Sequence, residues 1–134
     1  MQVAPMLGDV VPQVHGFLED AAQKLQAHGV ERERIVIDPG IGFGKTVAQN
    51  FALLARQREL LAAGYPLLVG WSRKSSLAEL PGVASTARET LNAQDRLVPS
   101  VAAALLAVER GAAIVRVHDV RETVQAIRVL NALK

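Results

Sequence analysis

The chain has 134 residues, half of them apolar and 21% charged, with 15 basic against 13 acidic residues and a net charge of +2. That is one domain's length with an ordinary globular balance, which excludes a two-domain enzyme and a disordered chain. With no cysteine, disulfide scaffolds, thiolate zinc sites and cysteine nucleophiles are excluded as well, and the small charge surplus comes without the basic block that nucleic-acid binding calls for.

Apolar residues Val11, Val14, Leu18, Ala21 and Leu25 recur at three- and four-residue steps after Asp9 and Pro12, which predicts a helix that caps on Asp9 and stops at Gly29. Ile35, Val36 and Ile37 then form a β-branched run bounded by Asp38-Pro39-Gly40, read as a buried strand. Thr46 and Gln49 make a capping box for a second helix carrying Phe51, Leu54 and Leu61 and ending at Gly64. Leu67-Leu68-Val69 repeats the strand pattern. Ser, Thr, Pro81 and Gly82 punctuate residues 72–90, so a long loop with one short helical piece is expected there. A third helix runs to about Arg110 and stops at Gly111, with Pro99 expected to kink it. The strand Ile114 to His118 follows, and Asp119 with Glu122 predicts a capping box for a last helix whose Val120, Val124, Ile127 and Leu130 face the core.

The order is α/β throughout: three strands alternating with four helices, which demands parallel strands joined by crossovers. The longest apolar run, residues 101–108, is far short of the ~20 residues that cross a bilayer, and residues 1–5 lack a basic segment ahead of an apolar one. A cytoplasmic protein with no membrane partner and no nucleic-acid partner is expected.

Ligands of parallel β/α architectures gather at the carboxyl ends of the strands. The first end reads Asp38-Pro39-Gly40-Ile41-Gly42-Phe43-Gly44-Lys45-Thr46. Its Gly-Lys-Thr matches the tail of a phosphate-binding loop, but Pro39 stands where that motif needs glycine, and Lys45 stands where a dinucleotide fingerprint needs its third glycine. Asp38 has two readings: a carboxylate accepting paired N–H groups from a flat heterocycle, or a cap on its own loop. The second end, Ser72-Arg73-Lys74-Ser75, offers a hydroxyl and two cations for an anion, or a solvated surface; Trp71 reads more readily as packing. At the third end Arg116 and His118 share one face of a strand, and together with the helix start behind them they suit phosphate oxygens. His15, His28 and His118 have no metal-ligand spacing, so no metal site is expected from these residues.

Three strings taken together, DPGIGFGKT with Asn50 downstream, PLLVGWSRKS from Pro66 to Ser75, and RVHDV from Arg116 to Val120, resemble dihydropteroate synthase. The similarity extends to the helix AAALLAVERGA from Ala102 to Ala112. The resemblance implies a TIM (β/α)8 barrel of ~250 residues, of which this chain would supply the last three β/α units as a single partial pterin-binding domain, residues 1–134. It implies transfer of a pterin methylene group from pyrophosphate to p-aminobenzoate in folate synthesis, with Mg²⁺ and as the target of sulfonamides. On that basis Asp38 and Lys74 would be catalytic. Asp38 and Lys74 would hold the pterin, Phe43, Lys74 and Ser75 would shape the p-aminobenzoate site, and Arg116 and His118 would hold pyrophosphate, with Ser72 and Arg73 nearby. The family's Mg²⁺-binding Asn lies in segments that have no counterpart here. The isolated chain is therefore expected to be inactive, or to depend on an N-terminal half or on self-association. The alternative is a non-enzymatic pterin- or anion-binding interaction module.

Overall fold

The computed structural model describes residues 7–80 and 96–134. Helix α1, Val10–Ala27, starts where the Asp9 carboxylate accepts the Val11 N–H at 3.1 Å. It buries Val10, Val11, Val14, Leu18 and Ala22. Leu25, expected on the same face, is instead exposed; the last turn of the helix makes a polar contact, Gln26 Nε2 donating to the Tyr65 hydroxyl.

Helix α2, Val47–Ala55, opens with the expected reciprocal capping box of Thr46 and Gln49. It does not continue as an α-helix to Leu61. Residues Gln57–Ala63 tighten into a 3₁₀ helix that buries Gln57, Leu60 and Ala63, a spacing of three that matches the three-residue 3₁₀ turn. Gln57 is among these because its amide donates to the Ala107 carbonyl at 2.9 Å and the Arg110 carbonyl at 3.2 Å, satisfying the end of the next helix.

Among the described residues the parallel sheet has two strands, β1 (Leu68–Val69) and β2 (Ile114–Val115), with Leu68 opposite Ile114 and Val69 opposite Val115. The expected first strand is reduced to one parallel bridge, Ile37 with Leu67, in which the Ile37 amide donates to the Pro66 carbonyl and the Leu68 amide to that of Ile37. Among the described residues nothing pairs with its other edge, so the ladder does not extend. The alternation survives: Ile35 and Ile37 are buried while Val36 between them is 45% exposed. β2 also stops short of His118, because the His118 amide donates to the Ser72 hydroxyl rather than to a neighbouring backbone.

Helix α3, Leu97–Glu109, packs Ala103, Ala104 and Ala107 into the core and ends ahead of Gly111 as expected. Pro99 does not kink it. It lies in the first turn, where an amide has no intrahelical carbonyl to find and its loss costs nothing. The segment after Ser72 contains the expected short helical piece, a 3₁₀ turn at Ser75–Ala78; residues 81–90 of that expected loop lie outside the described residues.

Helix α4, Val120–Asn131, departs from expectation twice. Asp119 makes no side-chain cap, since its carboxylate is engaged by Arg73. Thr123 is the buried residue of this helix, while Val120 and Val124 are 58% and 41% exposed and Ile127 and Leu130 only half-buried. A two-stranded sheet that ends at β2 leaves α4 resting on α3, with much of its apolar stripe uncovered.

Trp71 at 2% exposure and Leu67 and Val69 on the same side of β1 form the centre of the core with Leu53, Leu60 and the α1 valines. Trp71 packs on Phe51, ring centroids 5.1 Å apart, so its structural reading holds. By the strand alternation, Val36, Asp38, Leu68, Gly70, Ser72, Ile114, Arg116 and His118 share the opposite face of the sheet.

Candidate functional site

Everything chemical at the strand ends follows from that alternation, which buries the odd positions of β1 and turns the even ones toward a cleft. Gly70, Ser72, Arg73, Lys74, Arg116, Val117 and His118 line a cleft of about 480 Å³. At Gly70 the absent side chain is what admits Arg116, whose guanidinium lies across the strand: a Cβ there would sit 2.9 Å from Nη2. The guanidinium continues to Asp38, with Nη1 3.8 Å from Oδ2. Asp38 also accepts the Gly40 N–H at 2.8 Å through its other oxygen, so the loop-capping reading of this residue is realised. A carboxylate has about four acceptor sites, and these contacts leave room for a ligand's N–H groups.

Ser72 and His118 join the ends of the two strands. The Ser72 hydroxyl accepts the His118 amide at 3.0 Å and lies 2.7 Å from Nδ1. These two contacts fix the orientation of the imidazole at the edge of the cleft.

Lys74 reaches the cleft from the next loop, its stem against Gly42 and its ammonium 4.4 Å from the centroid of the Phe43 ring. Burial and the neighbouring Arg116 charge lower its pKa, and Asp38 opposes that shift. Phe43 thus joins the site at its rim. Ser75, by contrast, is exposed and does not line the cleft.

Arg73 lies near the anion side of the cleft, as expected, and is also tied to its neighbours. Its backbone is left-handed at φ 58°, its amide donates to Ser100 Oγ at 2.8 Å, and its guanidinium donates to Asp119 at 3.0 Å. It borders the cleft, but its charge is directed to the start of α4. Ser100 and Asp119 are therefore supports that sequence reading missed: Ser100 lay in an apolar helix, and Asp119 looked like a cap. Lys45 folds back on its own loop, donating to the Gly40 and Phe43 carbonyls at 2.8 and 3.0 Å. That geometry agrees with rejecting a nucleotide-binding loop, in which the lysine reaches phosphate.

Among the described residues no three His, Cys, Asp or Glu side chains converge to hold a metal ion. The cleft is lined by Arg73, Lys74 and Arg116, and Asp38 already faces Arg116. The residues present do not fit a protein-held Mg²⁺.

A carboxylate, a histidine and basic side chains gathered at the ends of parallel strands define a β/α protein with a polar strand-end cleft. Residues 1–118 match the family described as pterin binding enzyme, and the chain belongs to that family. It is 46% identical over 136 residues to the dihydropteroate synthase of Neisseria meningitidis serogroup B, covering 99% of this chain and 45% of that protein. Among solved structures, Xanthomonas albilineans dihydropteroate synthase with 4-aminobenzoic acid superposes at a TM-score of 0.88 with 44% identity, covering 97% of this chain and 45% of the other. The same enzyme in complex with 7,8-dihydropteroate gives 0.89 and 43%, covering 99% and 48%. The chain thus spans less than half the length of the proteins it matches. The fold is the α/β architecture of those enzymes, seen here as a two-stranded part.

Proposed function

We propose that this chain supplies the pterin- and pyrophosphate-binding part of a dihydropteroate synthase, a cytoplasmic transferase of folate synthesis that works with the remaining barrel strands. The single observation that carries the reading is the line Asp38–Arg116–Gly70, which places a free-faced carboxylate beside a cation directed into the cleft. In the reaction the amine nitrogen of p-aminobenzoate forms a bond to the exocyclic methylene of 6-hydroxymethyl-7,8-dihydropterin pyrophosphate. The methylene–oxygen bond breaks, pyrophosphate departs with the electron pair, and the amine loses a proton.

Each residue has a task in that step. Asp38 accepts the ring N–H groups and offsets the positive charge that builds on the pterin as the bond breaks. Arg116 and His118 bind the leaving oxygens, with Ser72 holding the imidazole, and such pre-placed groups lower the barrier where charge develops. Lys74 lies between the pterin and the Phe43 side, where p-aminobenzoate would enter with Ser75 at the margin. Mg²⁺ has no assigned ligand in this chain.

Titration calorimetry with the pterin pyrophosphate tests the reading. Binding that falls at least about tenfold, ~1.4 kcal/mol, in both Asp38→Ala and Arg116→Ala is the expected result. No binding by a folded chain that forms a stable oligomer would overturn it in favour of an interaction module.

A further inference from the structure

Asn50 is 1% exposed, on the buried side of α2 with Leu53 and Leu54, and it is a polar residue where the helix otherwise contributes apolar ones. Buried amides are costly unless both ends are paired. Here the Oδ1 accepts the Gly42 N–H at 3.0 Å, and the Nδ2 donates to Ser76 Oγ at 2.9 Å, with Ser76 itself 4% exposed. One side chain therefore connects two loops that follow different strands: the glycine-rich loop after Ile37 and the 3₁₀ turn Ser75–Ala78 after β1.

The two loops also meet at Lys74. Lys74 lies immediately before the 3₁₀ turn, its Cδ 3.2 Å from where a Gly42 Cβ would be and its ammonium over the ring of Phe43, the residue after Gly42. The hydrogen-bonded residues are thus Gly42 and Ser76, and the functional pair is Phe43 and Lys74, offset from them by one and two positions. Gly42 has φ 86°, so its loop is held in a left-handed turn, and the amide of that turn is the one that Asn50 accepts.

We infer that Asn50 is a positioning residue that fixes the Phe43 ring and the Lys74 ammonium at their mutual distance by tying the two loops together from below. It touches no ligand; it acts through Gly42 and Ser76. Asp38, Arg116, Ser72 and His118 are held by other contacts, so loss of Asn50 separates the acceptor side of the cleft from its pterin and anion side. The bearing on p-aminobenzoate rests on the function proposed above, whereas the loop geometry does not.

Two variants and two readouts test this on the chain itself. In ¹H–¹³C spectra of the wild type, the Lys74 side-chain methylenes next to the Phe43 ring are expected to be shifted upfield by its current, and the Gly42 amide is expected to exchange slowly. Asn50→Ala and Ser76→Ala, each shown to be folded by circular dichroism, are expected to lose the upfield shift. Gly42 exchange should quicken about tenfold in Asn50→Ala, the order expected when one buried hydrogen bond is removed. With 6-hydroxymethylpterin and inorganic pyrophosphate bound, affinity for added p-aminobenzoate should fall about tenfold, while pterin affinity changes less than about threefold.

An unchanged Lys74 shift in either folded variant overturns the inference, as do equal losses for both ligands, which would mark Asn50 as a general support. Should Asn50→Ala not fold, Ser76→Ala decides alone, since it leaves the Gly42 contact in place. A wild-type chain that binds neither ligand refutes the proposed function, and the spectroscopic readout still decides the role of Asn50.

Discussion

At Gly70 the relevant atom is one that is missing. The Arg116 guanidinium occupies the space a side chain would take, with Nη2, Nε and Cζ 2.9, 3.3 and 3.4 Å from an added Cβ. Gly70→Ala is therefore expected to push the guanidinium off the strand and away from Asp38. Because the displaced group is the far end of a side chain 61% exposed, folding should barely change. Affinity for inorganic pyrophosphate should drop about tenfold, the scale of one misplaced charge-assisted hydrogen bond; calorimetry with unchanged affinity would show that Arg116 is not set by Gly70. That Asp38, Ser72, Lys74, Arg116 and His118 gather at the strand ends was legible, because strand ends are readable from β-branched runs and the side a strand residue faces follows from parity. Gly70 was not, since a glycine in a strand signals a close approach without naming the group that approaches. Asn50 had a readable signal in its spacing with Leu53, Leu54 and Gln57, a polar residue on an apolar stripe, but its partners lie in other loops.

Between elements, the loop after β1 is held by the helices on either side of its partner strand. Arg73 adopts a left-handed backbone, which costs a non-glycine residue about 1–3 kcal/mol, and three contacts keep it there: Ser100 on its amide, Arg96 on its carbonyl and Asp119 on its guanidinium. Turning Arg73 this way sends its neighbours Ser72 and Lys74 into the cleft. Ser100→Ala would leave the Arg73 amide unpaired and is expected to lower the unfolding free energy by about 1–3 kcal/mol. Urea denaturation with an unchanged m-value would register that loss, and a midpoint equal to wild type would show that the hydroxyl is dispensable. This arrangement explains why Asp119 and Glu122 misled as a capping box: a capping motif states what a side chain can accept locally, while an arginine 46 positions away offered Asp119 a stronger, charged donor. The Thr46–Gln49 box formed as its spacing predicted.

At the level of the whole molecule, the sheet face that carries the site also exposes Val36 and Ile114, at 45% and 44%. In a closed barrel such positions are filled by layers of side chains from facing strands. The function proposed above assigns the facing strands to the part of the matched enzymes that this chain does not cover. Mixing the chain with the unmatched portion of the Neisseria relative is expected to give a complex that forms dihydropteroate, with neither part active alone. Ile114→Glu should abolish both association and turnover while leaving the chain's own circular dichroism unchanged, because this side chain points away from the core. Activity from the chain alone would show that the two-stranded part is catalytically complete. Local periodicity could report the β/α order and most helix limits; it could not report that the first strand would shrink to a bridge, because strand length depends on neighbours outside the segment.

The Ser72–His118 contact also has a kinetic meaning. It joins residues 46 apart in the chain, and the parallel pairing of β1 with β2 has the same long span. Closing so long a segment costs chain entropy before any contact repays it, so such pairings form late and slowly. The helices, stabilised by near neighbours, come first. The cleft is thus expected to assemble after the helices, and the docking of His118 on Ser72 would report on that late closure.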